Sequence, residues 1–267
     1  MRDSSFFDSF WRTRYCIVMK KVVIVSGLLL AMAIGGVSQT KQADKTLEPV
    51  KTSPVVVAKA VTDLAKAALA AHGGDKLKQM KTLVIIGSVD VTTSAFNQVI
   101  PSTFVTIIAG ERYNYAINNP FQPLKQVYDG KQTFSSIQGF SLPPITSLGF
   151  PLLPKIGETG YVIAALPEAK KKKVGFRITT PEGYYTDFFV DEKTSQIKGY
   201  ESSYEYDGRT ITTSVEIDKC LSVEGVLVPE KYSQRFDLGQ LTAYAAFKAK
   251  DIKVNSPVAD DVFAMPK

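Results

Sequence analysis

Between residues 173 and 254 at least five segments alternate apolar and polar side chains with a period of two, separated by short turn signals. Alternation of this kind marks strands with one buried face, and a succession of them leads to an antiparallel sheet. Val174, Phe176 and Ile178 alternate with Gly175, Arg177 and Thr179, and Tyr184, Thr186, Phe188 and Val190 alternate with partners that include Asp187 and Asp191. Tyr200, Tyr204 and Tyr206 then share a face opposite Glu201 and Glu205. Asp207-Gly208 turns the chain into Ile211, Thr213, Val215 and Ile217, a strong hairpin signal because both turn residues tolerate positive φ. Residues 226–236 and 241–254 complete the series, the last with Leu241, Ala243, Ala245, Phe247 and Ala249 on one face and Lys248 and Lys250 on the other. Its small alanines are expected to leave space above the sheet.

Upstream, Pro54 suits the first turn of a helix, and Val57, Val61, Leu64, Ala68 and Leu69 recur at helical spacing until Gly73-Gly74 stops it. Asp75 is placed to open a further short helix. Residues 83–91, 104–109 and 112–117 read as strands, the last two joined about Gly110-Glu111, and Asp129-Gly130 joins a further hairpin. Residues 132–154 contain no charged side chain yet carry Phe140, Leu142, Ile145, Leu148, Phe150, Leu152 and Leu153, with prolines at 143, 144, 151 and 154. The prolines exclude a continuous helix or a central strand. Two readings stay open: a buried crossover loop that fills the end of the core, or a hydrophobic lid over a cavity. Four lysines at 170–173 read as a solvated turn guarding a sheet edge, or as a contact for an acidic partner or lipid headgroup.

Lys20-Lys21 followed by the uncharged run 22–37, with Gly36-Val37-Ser38 behind it, reads as a secretory signal cleaved near Ser38. The expected organisation is an N-terminal extension and signal over 1–38, with Met19 an alternative start, a linker over 39–54 and a single β domain over 55–267. The alternative, an uncleaved inner-membrane anchor, is disfavoured because the run is shorter than the ~20 apolar residues that span a bilayer. Five basic and two acidic residues in the first 38 account for half of the formal +6, so the remainder carries too little charge to argue for nucleic acid. One thiol, Cys220, follows the signal, which leaves no intramolecular disulfide.

Catalytic chemistry is poorly served. His72 is the one histidine, placed at a helix end before two glycines, where support of the helix terminus is the expected role. A Ser-His-Asp triad would need that residue, and no G-x-S-x-G occurs. One histidine and one later cysteine do not make a zinc site. Asp187, Asp191, Glu201 and Glu205 alternate as outward strand residues do. The expectation is therefore no enzyme, no cofactor and no metal.

Ala71-His72-Gly73-Gly74 with Leu77, then Lys81-Thr82-Leu83 and Gly87, resembles the helix-to-first-strand signature of outer-membrane lipoprotein-sorting proteins, a family related to the periplasmic lipoprotein carrier LolA. Phe189-Val190-Asp191 with Lys193-Thr194 and Ile197, Gly225-Val226 with Val228-Pro229, and Val254-Asn255-Ser256-Pro257 ending in Asp261-Val262-Phe263 and Pro266 extend the likeness to the C-terminus. The resemblance implies a mainly β fold of LolA/LolB type: a curved antiparallel sheet forming a half-open barrel, with an N-terminal helix and a loop or helical lid. It also implies an apolar interior that shields acyl chains in the periplasm.

The expected function is a non-catalytic periplasmic or envelope binding protein that sequesters a lipid or the acyl chains of a lipoprotein, with a role in lipoprotein sorting and only peripheral or transient membrane contact. Val84, Ile86, Tyr113, Tyr115, Phe176, Phe188, Tyr200, Tyr204 and Phe247 are the expected lining, and Leu148, Phe150 and Leu152 the lid. Each of these residues is equally compatible with plain core. The alternative is a filled envelope module, an interaction or sensor domain that docks a protein partner.

Overall fold

The computed structural model describes residues 54–267 except 95, 122, 137–143, 171, 207–208, 238–241 and 266–267. The expected signal, cleavage site and linker, the Asp207-Gly208 turn and Leu241 lie outside the described residues. Helix α1 (Pro54–Ala71) and the short α2 (Asp75–Lys78) precede twelve strands: β1 (Thr82–Thr93), β2 (Phe96–Ala109), β3 (Arg112–Asn118), β4 (Leu124–Tyr128), β5 (Thr133–Ser135), β6 (Val162–Ala165), β7 (Gly175–Thr179), β8 (Tyr185–Val190), β9 (Ile197–Tyr206), β10 (Arg209–Val223), β11 (Val226–Asp237) and β12 (Thr242–Val254). All pair antiparallel in one sheet of order β5-β4-β3-β2-β1-β12-β11-β10-β9-β8-β7-β6. The first and last strands therefore meet at the centre, and the open edges are the short β5 and β6.

Spread flat, twelve strands at ~4.8 Å spacing would span roughly 50 Å. The sheet curls instead. Residues from one face of β1, β2, β3, β7, β8, β11 and β12 belong to one continuous apolar core, and Tyr115 on β3 feels the field of Tyr200 on β9, six strands away in the sheet. The result is a half-open barrel, closed through β1–β12 and open between β5 and β6. Strongly twisted sheets of this size curl in this way because neither face of a flat one could be covered.

The alanine stripe of α1 explains how the helix lies on the sheet. Ala65, Ala68 and Leu69 are buried, Lys59, Asp63 and Lys66 are exposed, and the helix packs on β6 and β7. Its end is fixed by backbone conformation: Gly74 N–H donates to Leu69 O (2.9 Å), with Gly73 and Gly74 at φ 115° and 55°. A side chain at Gly73 would meet Gly225 O at 2.7 Å, so the helix terminus rests directly on the β10–β11 turn.

His72 is completely buried beside this contact. Its Nε2 accepts the Ile197 N–H (3.0 Å), so Nδ1 carries the proton and donates to Leu227 O (2.8 Å). One neutral imidazole thus ties α1 to β9 and β11. The ring therefore does not cap the helix end as expected but bonds the backbone of two strands beside it.

The structure corrects other expectations. Strand β2 begins well before residue 104 and runs through Pro101, which pairs with Asp90 on one side only, because β3 begins its pairing at Thr103. A proline is tolerated there since its missing N–H faces no partner strand. Val84 and Ile86 do not face the core. Leu83, Ile85 and Val89 do, leaving Val84 half-buried and Ile86 40% exposed on the opposite face. Residues 83–86 are all apolar, so alternation carries no phase there; pairing with β2 and β12 sets it.

Lys170 is no solvated guard. With Arg177 it closes over Asp187, which faces outward by strand parity yet is fully buried: Arg177 Nε and NH2 bond its two oxygens at 2.6 and 2.9 Å, Lys170 Nζ lies at 2.8 Å and also binds Glu201. Burial alone would raise the Asp187 pKa; the two cations hold it below the ordinary carboxylate value. At the other end, Phe263 is buried as expected of the C-terminal segment, under the Arg112 guanidinium (4.6 Å), while Asn114 donates to Val262 O (2.7 Å).

The His72 geometry predicts a pH dependence. Burial lowers its pKa from 6.5 in the folded state, so the unfolded chain binds a proton more readily. Stability conferred by the neutral ring is full above pH ~6.5 and is lost as pH falls towards the folded pKa. Urea unfolding between pH 7.5 and 5 is expected to show this loss in the wild type and a flatter dependence in His72→Ala. That variant is expected to lose about 2–5 kcal/mol at pH 7.5, because it strands the Ile197 N–H and the Leu227 carbonyl.

Candidate functional site

The concave face of the curled sheet carries two aromatic groups. Phe176, Phe188 and Tyr200 contact one another in series across β7, β8 and β9, the first pair stacked and the second tilted, with ring centroids 5.3 and 5.8 Å apart. Phe104, Phe247 and Tyr232 do the same across β2, β12 and β11, at 4.9 Å edge-on and 4.6 Å stacked. Tyr115, Tyr200 and Tyr232 approach one another between the groups. Burial is the main cause that raises each of their pKa values, to about 12 for Tyr200, and the neighbouring phenols add to it for Tyr115 and Tyr232. All three therefore stay neutral hydroxyl groups near neutral pH.

Depth and accessibility diverge at this trio. The tyrosines are strongly desolvated, yet each retains accessible surface and is only half-buried. By contrast Tyr113, Phe176, Phe188 and Leu152, with no accessible surface, are packed on every side. Tyr204, Phe247 and Phe150 are nearly as tightly enclosed. The alanines above which space was expected are also covered: Ala245 and Ala249 are buried beside Phe247.

Residues 145–156 cross the concave side within the connection from β5 to β6. Two 3-10 turns, Ile145–Ser147 and Phe150–Lys155, replace the helix or strand that the prolines forbid. Phe150, Leu152, Leu153 and Ile156 are buried in the common core, and Leu148 is half-buried. The segment is pinned at few points. Gly149 N–H donates to Thr186 Oγ1 (3.0 Å), which is itself bonded to Ser202 Oγ (2.7 Å), and the Phe150 ring meets His72 edge-on at 5.6 Å. Lys155 Nζ reaches Glu111 (3.0 Å) and Glu158 (3.4 Å). Of the two readings of this uncharged stretch, its described part is a plug inside the barrel mouth, built from both crossover loop and cover.

Charge is kept away from this face. Away from the irregularities in strand register, no described side chain on the face of Tyr115, Tyr200 and Tyr232 is charged. Arg112 and Arg177 both point outward into ion pairs. Beside the β10 irregularity Lys219 and Glu230 pair at 2.7 Å. Cys220 there is half-buried, and burial, then Glu230, raises its thiol pKa to about 11, so it is a protonated thiol at neutral pH. Among the described residues no group of three or more His, Cys, Asp and Glu is placed to hold a metal.

Seven of the twelve expected site residues, Tyr115, Phe176, Phe188, Tyr200, Phe247, Phe150 and Leu152, meet in one apolar cluster; Tyr113 and Tyr204 lie on the same face of the sheet, Leu148 is half-buried in the plug, and Val84 and Ile86 are left out. Tyr232 and Phe104 join them without having been singled out. The signal for Tyr232 was available, since it pairs directly with Phe247 once β11 and β12 are set in register.

No family model matches the sequence, and no curated protein does. Among solved structures the chain is similar to a DUF1329 family protein from Desulfovibrio piger (TM-score 0.48, 12% identity, 78% of this chain and 97% of that one). It is also similar to a LolA superfamily protein from Nitrosomonas europaea (TM-score 0.48, 12% identity, 77% and 97%). A third similar structure is a candidate outer membrane lipoprotein-sorting protein domain from Vibrio parahaemolyticus (TM-score 0.45, 9% identity, 77% and 97%).

The seat of the plug is testable at Gly149. Its φ is 63°, and a Cβ there would lie 2.5 Å from the Tyr200 ring. Gly149→Ala combines left-handed backbone strain with this clash, and is expected to cost about 2–4 kcal/mol in urea unfolding. Tyr200→Ala in the same background is expected to recover part of the added loss, which a double-mutant cycle measures.

Proposed function

We propose that this chain is a non-catalytic binding protein of an exported, envelope compartment. It takes a lipid, or the acyl chains of a lipoprotein, against the concave face of its sheet, and residues 145–156 are the occupant that such a ligand displaces. The observation that carries this reading is an uncharged inner face, with half-buried tyrosines at its centre, covered by a segment of the same chain that carries no charge as far as Pro154. Tyr115, Tyr200 and Tyr232 supply neutral hydroxyls for a carbonyl or ester, and Tyr113, Phe176, Phe188, Tyr204, Phe247, Leu148, Phe150 and Leu152 supply the apolar surroundings. Export, signal cleavage near Ser38 and a role in lipoprotein sorting belong to the same proposal, resting on the sequence of residues 20–38 and on the resemblance described above.

A second reading is favoured by one observation. A cavity at the end of the barrel has a volume of ≈ 110 Å³, against roughly 300–1,000 Å³ for sites that enclose a drug-sized ligand. A barrel that keeps its plug would be a filled module that docks a protein partner.

Native mass spectrometry with lipid extraction, on protein purified from a periplasm, separates the two. A co-purifying lipid or acylated peptide supports the binding protein. With an uncharged long-chain acyl ester at a hundredfold excess over its Kd, the urea unfolding free energy is expected to rise by about 2.7 kcal/mol. A bare mass and an unchanged unfolding curve would sink the acyl-binding reading in favour of the filled module.

A further inference from the structure

An uncharged inner face has a consequence for an amphiphile: its anionic end gains nothing there and must be held elsewhere. The cavity of ≈ 110 Å³ lies at the end of the barrel, between α2 and its following turn, the β2–β3 turn at Gly110-Glu111, and the plug. Its apolar lining is Leu77, Met80, Leu83, Ile108 and Phe150. Lys78, Lys81 and Lys155 border it with Glu111 and Glu158.

The three lysines are not equivalent. Lys155 is committed to both glutamates, at 3.0 and 3.4 Å. Lys78 and Lys81 form no ion pair with any described residue, and both are exposed. Two uncommitted ammonium groups beside an apolar floor match a ligand with an anionic head and a short stretch of methylenes. The volume suits that much of an amphiphile and excludes a whole long chain. Thr146, Phe150, Pro151, Pro154 and Lys155 make one wall, so anything bound there touches the segment that fills the inner face. Phe150 has one side in this cavity and an edge contact with His72.

We infer that this cavity is a headgroup subsite, in which Lys78 and Lys81 hold a carboxylate or phosphate monoester while its first carbons lie against Leu77, Leu83 and Ile108. The inference rests on the proposed acyl-binding function and adds the charge of the ligand and its direction: head at the α2 end, chain towards the inner face that the plug fills in this structure. A lipid and a small free anion share the head chemistry, and the test distinguishes them.

Dodecanoate, dodecyl phosphate, dodecanol and inorganic phosphate are compared as competitors of an uncharged fluorescent acyl ester. The full chain is used, as wild type and as the Lys78→Gln/Lys81→Gln double variant, which alters exposed side chains only. In the wild type at low salt the two anionic amphiphiles are expected to bind about fivefold or more tightly than dodecanol. The advantage falls towards unity in 0.5 M salt and in the double variant, while dodecanol binding is unchanged. Equal affinity for dodecanoate and dodecanol in the wild type would overturn the headgroup subsite and leave acyl binding intact. An anionic preference that survives the double variant would overturn the assignment to Lys78 and Lys81. Inorganic phosphate competing as well as dodecyl phosphate would make this a free-anion site and also overturn it. Failure of every amphiphile and of the ester itself would remove the acyl-binding function together with the subsite.

Discussion

A half-open barrel has an apolar inside that its own strands cannot close. Sheet order β5 to β6 leaves the two shortest strands at the edges of the gap, and the concave faces of Phe104, Phe176, Phe188 and Phe247 would meet water through it. The rest of the structure answers that exposure. Helix α1 lays its alanine stripe on β6 and β7, and the connection that must cross from β5 to β6 carries no charge as far as Pro154. Phe150, Leu152, Leu153 and Ile156 are buried because the gap offers them a dry surface within reach of that connection.

Close approach at two glycines and one histidine keeps these covers in place. Gly73 lets the end of α1 touch the β10–β11 turn, and Gly149 lets the plug lie on the Tyr200 ring. His72 stands between them, with backbone partners on β9 and β11 and the edge of Phe150 against its ring. Helix, plug and sheet therefore meet at one buried neutral ring. Charge is sorted by the same geometry: the Lys170–Asp187–Arg177 network and the Arg112–Asp260 pair sit on the outer face, where solvent and neighbouring side chains stabilise them. An inner ion pair would face desolvation without that help.

How much of this was legible in the sequence depended on whether a segment carried its own phase. Residues 175–190 and 243–249 alternate cleanly, and their faces came out as read. Residues 83–86 are uniformly apolar, so the pattern alone lets Val84 and Ile86 be read on the inner side; only hydrogen-bond register decides between the two phases. Pro101 hid half of β2, because a proline looks like a boundary until the partner strand is known to stop short of it. The uncharged stretch at 132–154 announced burial but not its place. Nothing local tells that Gly149 will lie against Tyr200, or that Tyr115 and Tyr232 will converge from strands far apart in the chain, since both follow from the curl of the whole sheet.

Whether the plug can yield is a question of comparable energies. Four buried apolar side chains, at about 1.5–3 kcal/mol each, tie it down by roughly 6–12 kcal/mol before ordering costs. A ~16-carbon chain, at ~0.8 kcal/mol per methylene, would return about the same on burial. The two occupants are near enough in apolar gain that small terms decide between them. The plug has the advantage of being tethered, and it gives up a few polar contacts, chiefly at Thr186 and Glu111, when it leaves. A free ligand must overcome the tether, and an electrostatic contact at the barrel end is one way to do so without placing charge on the inner face. The small cavity of the closed state is then what a tethered occupant requires: a barrel with a large permanent void would collapse or flood, whereas one that fills itself stays dry until something of similar apolar area takes its place.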